Sequence, residues 1–251
     1  MTRSRQLRHD GRPARGALKR PRQFYLLTCG TVSALAIYGA VWTLAAERWS
    51  APPVSQIVAA AAVVLATGWF ALLIAQTVLV QLKQTFDHRR LGQSAALLGF
   101  AIPLVAIAGA VLRVRAASSV SSADHAQAEV MLLVHLVDGL IFLACLSAAL
   151  VRREAPDFHR RWMVMAMVAL VPEAVMGQDP TTAGLAVLCA GAAGLVLVAV
   201  IRDLVRLGRI HRVYRVGLLP VVGGPVVALA VQVGRWPALL AVVDSLVAGR
   251  I

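Results

Sequence analysis

The chain has 251 residues, of which 59% are hydrophobic and only 15% charged, with a mean hydropathy of +0.75, whereas a soluble domain carries roughly a quarter charged residues. That excludes an ordinary water-soluble domain and makes lipid the expected solvent. The net charge of +13 does not indicate nucleic acid, because every basic residue except Lys19 and Lys83 is arginine and the arginines gather at the ends of apolar runs, as topology signals do.

In chain order, residues 1–22 form a basic tail with Gly and Pro, too polar to bury anything and suited to anionic lipid headgroups. The first run is too long for a signal-peptide core and lacks a small-x-small cleavage site in a plausible place. It predicts a span over Phe24–Ala46, followed by interfacial Trp49 and the helix-stopping pair Pro52 and Pro53. The second span, Val54–Val80, exceeds the ~20 residues needed to cross a bilayer, so tilt or protrusion is expected, with Gln76, Thr77 and Gln81 at its inner end. The third, Ala95–Leu112, carries small residues at Gly92, Ala96, Gly99 and Ala106 that permit close helix packing. A polar Ser/Ala-rich connection containing His125 leads to the fourth span, Val130–Val151. The fifth runs from about Phe158 to Met176, with Pro172 near its far end. The sixth is Thr182–Ile201 and the seventh Val216–Gly234, where Pro220, Gly223, Gly224 and Pro225 predict a bent or broken helix. Residues 236–251 are too short to span and are expected to lie at the interface or re-enter it.

The fold class expected is therefore an all-α transmembrane bundle of about seven spans over residues 23–235, lying in the bacterial cytoplasmic (inner) membrane. Twenty Arg and Lys residues fall on the side of the N-terminal tail and five on the other. The positive-inside rule then puts the N-terminus in the cytoplasm and the C-terminus outside. Each cytoplasmic turn also delivers a His followed by Arg at the start of an odd-numbered helix, in DHRRLG, DFHRRWM and IHRVYR. A reused hairpin accounts for this better than a strict repeat, since the spacings are unequal.

The ionisable groups inside the apolar segments concentrate between Met131 and Met176. His135 and Asp138 are three residues apart and share a helical face with Phe142 and Cys145. At ~1.5 Å per residue they lie roughly 8 to 12 Å below the outer surface. Glu173 approaches that level from the far end of span five, so the three form a candidate polar pocket in the outer leaflet. Intramembrane ionisable groups face a partner, a cavity or a pathway. The readings open to this cluster are a small-solute or proton site, a weak metal site with one nitrogen and two carboxylate ligands, or a hydrogen-bonded clamp between helices.

His88, His159 and His211 form a second set at the cytoplasmic boundary. Headgroup anchoring accounts for histidines set among arginines. The alternative is axial ligation of a b-type haem by two of them, which would make the chain an electron-transfer subunit. His159, Met163 and Met167 make an i, i+4, i+8 stripe that suits a haem edge or simple core filling. Cys29, Cys145 and Cys189 stand singly, without CxxC or CxxCH spacing, so no disulfide framework or covalent haem attachment is indicated. With Lys19 and Lys83 both outside the spans there is no amine for a retinal Schiff base, and HExxH, GxSxG, Walker A and GxGxxG are all missing. A non-enzymatic role is the expectation, with the bilayer and its headgroups as partners.

DHRRLG and RREAPDFHRRWM resemble a widespread group of bacterial multi-span membrane proteins that pair an HRRLG-like turn with a later RR-x-P-x-x-H-[RK]-R-x-M turn. In that group a further helix ends in D-x-x-x-x-G-R-x-H, here Asp203, Gly208, Arg209 and His211. The likeness covers about 84–212 and implies an integral membrane protein of unassigned function, and it carries no cofactor over to this chain. Such proteins often have Arg after the fifth-span Pro-Ala, whereas here Pro172 is followed by Glu173.

Overall fold

The computed structural model describes residues 20–47, 53–117, 122–171 and 182–234, together with 241, 242, 245 and 247. Among these residues the regular structure is all helix. Its elements are α1 (Arg20–Glu47), α2 (Pro53–Gln81), α3 (Thr85–Ala117), α4 (Ser122–Val151), α5 (Pro156–Ala169), α6 (Thr182–Leu207) and α7 (Arg212–Gly234). Four segments are long and apolar enough to cross a membrane: Gln56–Gln81, Thr85–Ala117, His125–Val151 and Arg212–Val231. Large apolar side chains such as Leu27, Val64, Leu97, Leu140, Val205 and Leu219 point outward. A surface of that kind suits lipid and not water.

Three tight turns join antiparallel helices, and each has its own stop signal. After α2, Lys83 adopts φ 62°, with Lys83 N–H bonded to Val80 O and Gln84 N–H to Leu79 O. This is a Schellman motif with lysine where glycine is usual. After α4, residues 152–155 turn the chain and Pro156 starts α5 behind Ala155, which supplies no side-chain cap. After α6, Gly208 takes φ 64° and its N–H returns to Leu204 O. All three turns meet at one end of the bundle, where the His88 and His159 rings lie 6.4 Å apart and Phe158 meets His211 edge-on at 4.8 Å. The start of α1 reaches the same end, with Arg202 donating to the Tyr25 hydroxyl at 3.1 Å.

In the bundle, α3 packs between α2 and α4, α4 also meets α5 and α7, and α6 lies along α7. Trp69 and Phe142 form the centre of the main core, both fully buried and edge-to-face at 5.2 Å. Gly99 permits that approach, since a Cβ there would stand 2.7 Å from Leu146 Cδ2 and 2.9 Å from the Trp69 indole nitrogen. The predicted small-residue face of the third span is thus a contact face.

The structure departs from the expected boundaries in four places. The connection between spans three and four is mostly helical, because α3 continues to Ala117 and α4 begins at Ser122. His125 is therefore on a helix, 3.5 Å from Glu129 one turn later, in keeping with the helix-forming Ala, Gln and Glu around it. The element Pro156–Ala169 is interrupted at Leu170, Val171 is again helical, and residues 172–176, where the fifth span was expected to end, lie outside the described region. The seventh is one continuous helix through Pro220 and Pro225, which removes the broken form of the expectation but not the bent one. In the C-terminal segment, Val247 is buried against Ala110, Val114 and Leu132, and its carbonyl accepts a 3.2 Å bond from Arg115.

Candidate functional site

Helix α4 places His135 and Asp138 as expected, on one face and both buried, at 9% and 2% exposure. The His135 Nδ1–H donates to the Met131 carbonyl one turn earlier, at 2.7 Å. A carbonyl can only accept, so Nε2 is left as the basic nitrogen. Asp138 faces α7, where a Cβ added to Gly224 would stand 3.3 Å from its Oδ1. Ile141 and Val137 close on the same glycine, at 2.6 and 3.2 Å. Pro225 follows at once and has no N–H, so the helix leaves the Val221 carbonyl without its usual donor. Arg113 of α3 lies within electrostatic reach of His135, a neighbour the sequence did not suggest. Glu173 lies outside the described residues.

The three boundary histidines separate in the structure. His88 of α3 and His159 of α5 form a perpendicular pair, with centroids 6.4 Å apart and planes at 86°. The His159 Nδ1–H donates to Ala149 O at 2.9 Å and so satisfies a carbonyl in the last turn of α4. His88 lies against the Gln76 backbone, but its Nδ1 is buried without a hydrogen bond of good geometry. His211 does other work. It precedes α7, its carbonyl accepts from Tyr214 N–H, and its Nδ1 accepts from Val213 N–H at 3.3 Å, so it is a helix N-cap.

The strongest polar feature is one that the sequence reading passed over. Arg161 and Asp203 are almost fully buried, at 2% and 0% exposure. They form a two-pronged ion pair, Nε to Oδ2 at 2.6 Å and Nη2 to Oδ1 at 3.0 Å. The third Arg161 nitrogen donates to the Asp157 carbonyl at 2.6 Å. Arg202 adds a second cation on Asp203 at 3.2 Å, and its guanidinium lies 4.6 Å from the Phe24 ring and 4.7 Å from that of Tyr25. Arg160 also lies over the Tyr25 ring, at 5.2 Å. Two motif elements noted in the sequence, HRRWM and D-x-x-x-x-G-R-x-H, therefore meet as the two halves of one ion pair.

Among the described residues no three or more His, Cys, Asp and Glu side chains converge as a metal site. No protein-family model matches the chain, and neither a curated protein nor a solved structure matches it.

Proposed function

We propose that the chain is a multi-pass protein of the bacterial cytoplasmic membrane, N-terminus inside, that binds or passes a small solute or a proton at a polar site formed by His135 and Asp138. It is not expected to be an enzyme. The observation carrying this reading is the burial of a carboxyl and an imidazole on one face of α4, with the carboxyl turned to Gly224 of α7. An ionisable group buried at a helix contact inside a span faces a partner, a cavity or a pathway. Pro225 releases the Val221 carbonyl, just before Gly224 on α7, from the helix ladder. That acceptor can receive a hydrogen bond or help to hold a cation. The arginine-rich turns support the inward N-terminus.

Purified full-length protein in liposomes loaded with a pH-sensitive dye tests the reading. Under an imposed pH gradient the wild type should carry protons faster than empty liposomes, and Asp138→Asn should lower that flux about tenfold or more. Equal flux in the two folded proteins would leave Asp138 a structural role only.

A further inference from the structure

The ion-pair cluster around Asp203 lies at the other end of the bundle, on residues that the His135 and Asp138 reading does not use. It holds more donors than acceptors. Three guanidinium groups, of Arg160, Arg161 and Arg202, share two carboxylates, Asp157 and Asp203. Arg160 Nε, Arg202 Nε and the Tyr214 hydroxyl are buried without an acceptor among the described residues. Arg206, one turn beyond Arg202 on the same side of α6, is exposed and adds a further positive charge. A cluster with surplus donors and surplus positive charge calls for an anion.

We infer that Arg160, Arg202 and Arg206 hold the phosphate of an anionic phospholipid of the cytoplasmic leaflet, at the junction of α1, α5 and α6. This rests on the membrane reading above, though not on transport. Arg202 Nη1 is taken up by the Tyr25 hydroxyl at 3.1 Å and by Asp203 at 3.2 Å, and its Nε is buried. Nη2 is neither bonded nor among the buried atoms, so it is the edge that reaches the surface. Arg160 is held in the same way, with Nη2 on Asp157 and Nε buried, which leaves Nη1 outward. Both groups lie against the Tyr25 ring, at 4.7 and 5.2 Å, so their free edges are within reach of one headgroup. An arginine fixed from behind by a carboxylate or a ring has little side-chain freedom left to lose on binding phosphate.

The surface beside the arginines selects a lipid over a free phosphate. Val198 lies one turn deeper than Arg202 on α6 and Val205 lies just beyond it, and both are exposed. The Phe24 ring, half-buried, stands 4.6 Å from the Arg202 guanidinium, and aromatic residues at a charged boundary are the mark of a membrane interface. A phosphate at Arg202 that carries acyl chains can lay them along the apolar flank of α6. A free phosphate gains nothing from that flank.

Arginines on the inner side of a membrane protein attract anionic headgroups wherever they stand, so the test must separate this site from that background. It is native mass spectrometry of the full-length protein in detergent, with equal amounts of phosphatidylglycerol and phosphatidylcholine added. The wild type should retain about one phosphatidylglycerol per chain and little phosphatidylcholine. Arg160→Gln and Arg206→Gln leave the Arg161–Asp203 pair intact, and each should weaken that retention about fivefold or more. Arg89→Gln and Arg153→Gln remove exposed charges from the same end and should leave it unchanged. Equal losses in all four variants would reduce the effect to general attraction and overturn the site, as would equal retention of the two lipids. Displacement of the lipid by excess inorganic phosphate would put a free anion there instead and overturn the lipid assignment. Asp138→Asn should retain the lipid, so this site and the outer one can fail separately.

Discussion

His211 shows how much one side chain at a turn can carry. Its Nδ1 must be unprotonated to accept from Val213 N–H and cap α7. Burial, aided by the nearby Arg161 and Arg209 charges, lowers its pKa below the ordinary value, and Asp203 and Asp157 oppose this only in part. The unfolded chain therefore takes up a proton first as pH falls, near 6.5, while the folded chain does so only at lower pH. Between those two values acid favours unfolding, and stability should decline as pH drops from 7 through that window. His211→Asn keeps a capping oxygen and removes the titration, so its melting temperature should fall less than that of the wild type between pH 7 and pH 5. Equal slopes would mean that His211 is not the proton-linked group.

The decisive cross-tie at the scale of elements joins α5 to α6. Helix α5 has only 14 residues and begins without a side-chain cap, so local propensity does not explain its stability. Its hold is tertiary: Val164 to Ala169 are all buried, and Arg161 is clamped on Asp203. Replacing one partner strands the other charge in an apolar core, which costs about 3–5 kcal/mol. Asp203→Ala should therefore lower thermal stability strongly in detergent, and Arg161→Leu with Asp203→Leu together should cost far less than either single change. If the double variant is as damaged as the sum of the singles, the pair is not the clamp described. This tie was partly legible in the sequence. Asp203 and Arg161 both stood inside recognisable patterns, but their pairing was hidden because they are 42 residues apart and each sat among arginines that topology already explained. The face of α4 was readable from spacing alone, since a three-residue step fixes His135 and Asp138 on one side. Their neighbours Arg113 and Gly224 were not, because helix periodicity says which face is polar and nothing about which helix it meets.

For the whole molecule, hydropathy gave the helices and the charge count gave the shared end of the turns, as the contacts among His88, His159, Phe158 and His211 now bear out. The boundaries were less legible, because α3 runs beyond its apolar stretch at both ends; the charged flanks hold no proline, and their one glycine, Gly92, is tolerated inside the helix. A helix of 33 residues rises about 50 Å, more than the ~30 Å hydrocarbon core. If α3 crosses the bilayer as proposed, its two ends stand on opposite sides, with Arg115 near one and the His88 turn at the other. Arg153 belongs to the turn beside His159, at the His88 end. A membrane-impermeant thiol reagent added from one side should therefore label Arg153→Cys or Arg115→Cys, but not both, in a background with the three native cysteines replaced by serine or alanine. The inward N-terminus proposed above further requires that intact cells label Arg115→Cys and spare Arg153→Cys, with the pattern reversed in inverted vesicles. Labelling of both from one side would mean that α3 does not cross the membrane, and the outer-leaflet position of His135 and Asp138 would fall with it.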